Sequence, residues 1–99
     1  MLRTPGIEVV NNRERRQFEI HDGDQLARLT YAEDSGVLEL IHTEVPQALG
    51  GQGYGNQLVT AALEYAAEQS LLVKPTCPFA KAFIKRHPQY AKLTTRRDD

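Results

Sequence analysis

From Gln17 to Val45 apolar and polar residues alternate in short runs, the period of strands with one covered face. The runs QFEIH, QLARLTY and VLELIHTEV are rich in β-branched and aromatic residues, and Asp22-Gly23 and Asp34-Ser35-Gly36 separate them. That pattern predicts an antiparallel meander of three strands joined by tight turns. Ahead of it, Gly6 to Val10 reads as a short edge strand.

After Pro46 the period changes. From Gly55 on, Leu58, Val59, Ala62, Leu63 and Ala66 recur at helical spacing and predict an amphipathic helix ending near Gln69-Ser70. LLVKPTC then reads as a short strand, apolar enough at its start to be covered on both faces. PFAKAFIKRHP predicts a second helix, with Pro78 in its first turn, Phe79/Phe83 and Ala80/Ile84 paired four apart, and Lys81 and Lys85 together on another side. Pro88 should stop it about His87, and the polar tail KLTTRRDD is expected to fray.

The predicted order, strands first and then helix, strand, helix, is an α+β fold with an α/β-type crossover. The strand ending at Val45, the helix from Gly55 and the strand from Leu71 form a β-α-β unit, whose usual right-handed crossover makes its strands parallel. Such units bind ligands beyond the carboxyl end of the first strand, at the helix N-terminus.

At that place stands EVPQALGGQGYGNQ, with Gly50, Gly51, Gly53 and Gly55 falling within six residues. Successive N–H groups with no Cβ in the way can cradle an anion at a helix start. Each glycine also weakens regular structure by roughly 0.5–1 kcal/mol relative to Ala, so the cluster implies close approach by a ligand, or a flexible turn. Two common phosphate motifs are excluded. A Walker A loop needs Lys and Ser/Thr after its last glycine, and Asn56 and Gln57 follow here. The dinucleotide fingerprint needs a third glycine where Asn56 stands and an acidic residue about 20 positions on, where Leu71 to Pro75 has none.

Composition narrows the picture. Ninety-nine residues with 40% hydrophobic content suit one domain with one modest core. No apolar run is long enough to span a membrane, and MLRTPGIEVV lacks a signal-peptide core, so a cytoplasmic protein is expected. Cys77, the single cysteine, has no internal disulfide partner, in keeping with a reducing compartment. A net charge of −1 conceals −6 over Met1–Val73, from five Lys/Arg and eleven Asp/Glu, and +5 over Lys74–Asp99, from seven Lys/Arg and two Asp. The basic quarter suits a small anionic ligand. With an acidic body and no interleaving of arginine with aromatics, nucleic acid is not an expected partner. No metal site is expected.

The loop GQGYG following VP, on a strand-to-helix turn, resembles the pyrophosphate loop of the GCN5-related N-acetyltransferases. Gly53 and Gly55 match its two small positions, whereas Gly50 stands where that family prefers Arg or Gln. Together with HTEVP, GGQGYGNQLV, ALEYA and CPFAKAFIKRHPQY, the resemblance extends from about Leu38 to Tyr90 and is to the small, single-domain, YjdJ-type branch. It implies a minimal acyl-CoA N-acyltransferase fold with the two parallel strands splayed apart, and acetyl-CoA or CoA as the cofactor. The pantetheine arm would pair with the backbone near Glu44 and Val45, and Gly50, Gly51, Gln52, Gly53, Tyr54, Gly55 and Asn56 would lie along the pyrophosphate. One or two of Lys81, Lys85 and Arg86 would meet the 3′-phosphate. The branch lacks the helices that wall the acceptor site, which leaves an open face suited to a peptide or protein amine; the oligomeric state stays open.

A free lysine has a pKa near 10.4, so amine acetylation needs a base or a desolvated pocket. His42 is the first base candidate, because an imidazole with an ordinary pKa near 6.5 can take a proton at neutral pH. Glu44 is the second. Cys77, ahead of a helix led by Pro78, is favoured as a thiolate by the helix dipole and by Lys81. Two routes are open: Cys77 accepts acetyl and passes it on with His42 as its base, or the amine attacks acetyl-CoA directly and Cys77 lines the slot. Other readings of the chain are a CoA-binding module without turnover, a thiol-reactive protein using Cys77, and an interaction domain whose glycine loop is a turn.

Overall fold

The computed structural model describes residues 8–94. Five strands form one sheet in the order β1 to β5: β1 (Val10–Asn12), β2 (Gln17–Asp22), β3 (Gln25–Asp34), β4 (Val37–Glu44) and β5 (Leu72–Pro75). The first four are antiparallel to their neighbours, and β5 runs parallel to β4, from Val37↔Leu72 to Leu40↔Pro75. Helix α1 (Tyr54–Glu68) makes the crossover between β4 and β5, and α2 (Pro78–Arg86) follows β5. The meander, the crossover helix and the closing helix thus stand where the hydrophobic pattern predicted them.

The turns have local causes. Ser35 and Gly36, joining β3 to β4, both have positive φ, at 51° and 80°, as the tight hairpin turn that follows strand twist requires. Core formation follows from the alternation. Phe18, Ile20, Ala27, Leu29, Tyr31, Leu38 and Leu40 point to one face, and the α1 stripe Leu58, Val59, Ala62, Leu63 and Ala66 is completely buried against it. Burying each large aliphatic side chain contributes roughly 1.5–3 kcal/mol, so this face dominates the stability. Ala80, Phe83 and Ile84 of α2 join the same core, which puts both helices on one side of the sheet. The other side is called the open face below.

Several expectations are corrected. The first strand is Val10–Asn12 rather than Gly6–Val10, with Val10 paired to Glu19; Gly6 and Ile7 lie outside the described residues. β5 is covered on one face only: Val73 is fully buried, but Leu72 is 47% exposed, because no element among the described residues covers the open face there. The start of the tail, Lys92 to Thr94, is ordered where its polarity predicted fraying. Pro88–Leu93 forms a 3-10 turn whose Tyr90 and Leu93 pack against the core, and Thr94 bridges to Val73; Thr95 to Asp99 lie outside the described residues.

One carboxylate is buried on the open face. Glu19 accepts hydrogen bonds from Asn12 and Gln17 and pairs with His21. Burial alone would push its carboxyl up, but the bonds from Gln17, His21 and Asn12 outweigh it and hold the group below 4.5. Its stabilising contribution is therefore present above the unfolded value and lost as the pH falls through the lower native value. Acid titration followed by circular dichroism should show Glu19→Gln with a flatter loss of stability than the parent below pH 4.5. Chemical denaturation should also separate the two faces. Leu38→Ala should cost about 2–5 kcal/mol, and Leu72→Ala less than about 1 kcal/mol.

Candidate functional site

The site is built around the carboxyl end of β4. Up to Leu40 this strand is paired on both sides. Between Leu40 and His42 its register against β3 shifts, Tyr31↔Leu40 being followed by Thr30↔His42, so Ile41 is an extra residue in a bulge. On the other flank the ladder with β5 stops at Pro75, which has no N–H to donate, and Thr76 N–H turns back to the Lys74 carbonyl. The chain returns once more, with Cys77 N–H donating to the Leu40 carbonyl at 2.8 Å. Beyond Leu40, β4 runs on to Glu44 against β3 alone, which is the splay of the two parallel strands.

The bulge re-aims the side chains. Strict alternation from Leu38 and Leu40 would put His42 and Glu44 on the helix face. Instead His42 lies opposite Thr30, and Glu44 opposite Arg28, both on the open face, while Thr43 lies opposite the buried Leu29. Thr43 thereby reaches Cys77, with Oγ1 3.3 Å from Sγ. Its main-chain N–H also favours the charged form of the sulfur, which places the Thr43 backbone beside the gap.

Cys77 is 3% exposed at the N-cap of α2. Burial alone would push its thiol up. The Thr43 hydroxyl and the N–H groups of Ala80, Phe79 and Thr43 outweigh that and hold it below the ordinary value. The helix start therefore favours the thiolate, although no side-chain bond formally closes the cap.

The glycine loop completes the arrangement. After a 3-10 turn over Gln47–Leu49, anchored by the buried Leu49, Gly51 and Gly53 adopt left-handed φ of 80° and 77°. L side chains are strained there, so these two positions need glycine for backbone shape. Gly53 is the N-cap of α1, and no side chain caps that helix, whose first N–H groups remain available to an anion. Gly55 has another cause. A Cβ there would come within 2.8 Å of the Phe79 ring, so its lack of side chain lets the starts of α1 and α2 meet. Gly50 has ordinary extended geometry at φ −67°.

The fold thus brings Thr43, Cys77, Phe79 and Gly55 into one contiguous region, where two helix N-termini converge on the free edge of β4. Gln52 and Asn56 are exposed beside the loop. The Tyr54 side chain is turned into the core instead, 4% exposed, with its hydroxyl donating to Asp22 Oδ2 at 2.7 Å and lying 3.5 Å from Gln52 Oε1. Lys81 is exposed one turn into α2. Arg86 stands in the last turn, at the end of α2 away from the loop, where it complements the helix dipole. His42 is exposed on the open face, across the sheet from Cys77. Glu44 is held by Arg28, whose Nε and Nη2 both donate to Oε1, at 3.0 and 2.7 Å.

Four participants escaped the sequence reading. Arg28 and Asp22 sit in the meander, far along the chain from their partners. Thr43 looked like the open-face side of an alternating strand. Phe79, paired with Phe83 by its spacing, is 39% exposed beside Gly55. Only the i,i+1 position of Phe79 after Pro78 hinted at a place at the helix mouth.

A loop of this shape at a splayed β-α-β unit defines a class, and comparison with known proteins supplies it. The family model described as GCN5-related N-acetyl-transferase matches residues 17–93. Protein NATD1 of Bos taurus is 35% identical over 85 residues, covering 83% of this chain and 75% of that protein. The Danio rerio form is 33% identical over 96 residues, covering 85% and 81%. The solution structure of a GCN5-like candidate N-acetyltransferase from Staphylococcus aureus superposes with a TM-score of 0.74 at 30% identity, covering 96% of this chain and 94% of that one. The chain belongs to the GCN5-related N-acetyltransferase family. No helix among the described residues is long and apolar enough to cross a membrane.

Thr43→Val keeps the shape at the sulfur and removes one donor. The pH profile of Cys77 alkylation by iodoacetamide should move to higher pH in that variant; an unmoved profile would show that the hydroxyl does not stabilise the thiolate.

Proposed function

We propose that the protein is an acetyl-CoA-dependent N-acetyltransferase acting on an amine presented at the open face, such as a lysine or N-terminal amine of a peptide or protein. The observation that carries this reading is the convergence of two helix N-termini with the unpaired edge of β4 beyond Leu40. The residues fit the cofactor. Gly51 and Gly53 give a loop shape with no side chains in the way, and the uncapped start of α1 offers N–H groups to a pyrophosphate. The main chain of Thr43 and Val45 offers pairing to the amide arm, and Lys81 a charge for a phosphate. When bound, acetyl-CoA supplies the acetyl thioester.

The rest of the chemistry belongs to this chain. His42, exposed on the face from which the acceptor arrives, takes the amine proton through its imidazole. Glu44, tied to Arg28, supplies charge for docking a cationic acceptor; an exposed ion pair contributes only about 0–1 kcal/mol and is easily exchanged. The N–H groups at the gap are the donors for charge developing on oxygen. Direct attack is favoured over an acetyl-Cys77 route, because Cys77 is buried on the helix face and the imidazole that would serve it lies across the sheet. The absence of any helix before Pro46 among the described residues leaves the open face free for a macromolecular acceptor.

The first test is thermal melting with CoA, acetyl-CoA and ADP. Ligand at about 100 times its dissociation constant stabilises by roughly 2.7 kcal/mol, several degrees for a domain of this size. Asn56→Glu should abolish the shift while preserving the fold, because a carboxylate in the first helical turn favours the helix but repels a phosphate. No shift in the parent protein at millimolar CoA would end the acetyltransferase reading. With an acceptor peptide in hand, His42→Ala should lower kcat by about 10²-fold or more, and Cys77→Ala should still transfer.

A further inference from the structure

The glycine loop has little of its own to hold its shape. Gly50, Gly51, Gln52 and Gly53 are all exposed, and glycine loses more backbone freedom on ordering than any other residue. Its two ends are pinned by Leu49, 5% exposed, and Tyr54, 4% exposed. Leu49 does this by packing. Tyr54 does more, because its phenol crosses to Asp22, the last residue of β2, whose pairing with Gln25 closes the β2–β3 turn. A phenylalanine would fill the same core volume, so the ring accounts for the packing but not for the hydroxyl. That hydroxyl also lies within 3.5 Å of the Gln52 amide oxygen, on the loop itself. A bond to a carboxylate is about twice as strong as one between neutral groups, and here it joins the most permissive segment of the backbone to a closed hairpin.

We propose that the Tyr54–Asp22 hydrogen bond is a strap that holds the glycine loop in its anion-binding shape, making both side chains positioning residues for the cofactor pyrophosphate. The inference rests on the loop being the CoA site, as proposed above. Tyr54 acts on the cofactor through the backbone that follows from its anchoring, and Asp22 acts through Tyr54. Without the strap the loop samples other backbone conformations, and CoA affinity is reduced by the fraction of time the binding shape is absent.

Calorimetric titration with CoA, well below the melting temperature of each variant, tests this. Tyr54→Phe should weaken CoA binding about tenfold or more, the effect of losing one hydrogen bond to a charged group. Asp22→Asn keeps an acceptor oxygen but a neutral one and should bind CoA more weakly than the parent, whereas Asp22→Ala should bind about five- to tenfold more weakly than Asp22→Asn. The double variant Tyr54→Phe/Asp22→Ala should be no weaker than the worse single one, since both remove the same bond. A folded Tyr54→Phe that binds CoA like the parent overturns the strap while leaving the acetyltransferase reading intact. If Tyr54→Phe does not fold, equal affinities for Asp22→Ala and Asp22→Asn overturn it instead. If the parent itself does not bind CoA, the strap falls together with the reading it rests on.

Discussion

At Leu40 strand β4 loses regular pairing on both flanks at once. Ile41 bulges against β3, and Pro75 brings no N–H to carry the parallel ladder further. Unpaired main-chain groups are costly where water is excluded, so a strand edge left open inside a fold needs a partner from elsewhere. Part of that need is met by the turn into α2, through Cys77 N–H on the Leu40 carbonyl. The remainder, over the last residues of β4, is the free edge on which the proposed acyl donor pairs. The same bulge sends Thr43 to the sulfur of Cys77 and turns His42 and Glu44 to the open face, so one irregularity divides the groups that line the gap from those on the other side of the sheet.

The glycines divide by cause in a similar way. Gly51 and Gly53 are needed for left-handed backbone, and Gly55 for the approach of the Phe79 ring. Only the first two shape the loop; the third joins the loop to the second helix start. Two helix N-termini held side by side focus partial positive charge on a single place, stronger than either would supply by itself. At the start of α2 the Thr43 hydroxyl and the N–H groups of Ala80, Phe79 and Thr43 outweigh burial and favour the charged form of Cys77.

Much of this was legible in the chain. The alternation through Gln17–Val45, the stripe Leu58-Val59-Ala62-Leu63-Ala66 and the turn residues Ser35-Gly36 each carry a strong local preference, and local preference agrees here with the tertiary outcome. The glycine cluster after VP placed the loop for the same reason. The first strand was misplaced and the order of Lys92 to Thr94 missed because short polar segments have weak preferences and take their structure from neighbours: Val10 from Glu19, Thr94 from Val73. LLVKPTC was read as doubly covered because an apolar run cannot reveal whether anything lies on its second face.

The sequence by itself determined the order and type of elements, the position of the loop and the residue types available for chemistry, since periodicity, turn residues and glycine spacing act over a few neighbouring positions. Which of those residues meet was decided only in three dimensions. A bulge changes the face of every residue after it, and no alternation pattern announces where it falls. Thus His42 and Cys77, read together from the chain, stand on opposite faces, while Thr43 and Cys77, and Tyr54 and Asp22, are joined across more than thirty positions by the sheet that holds them.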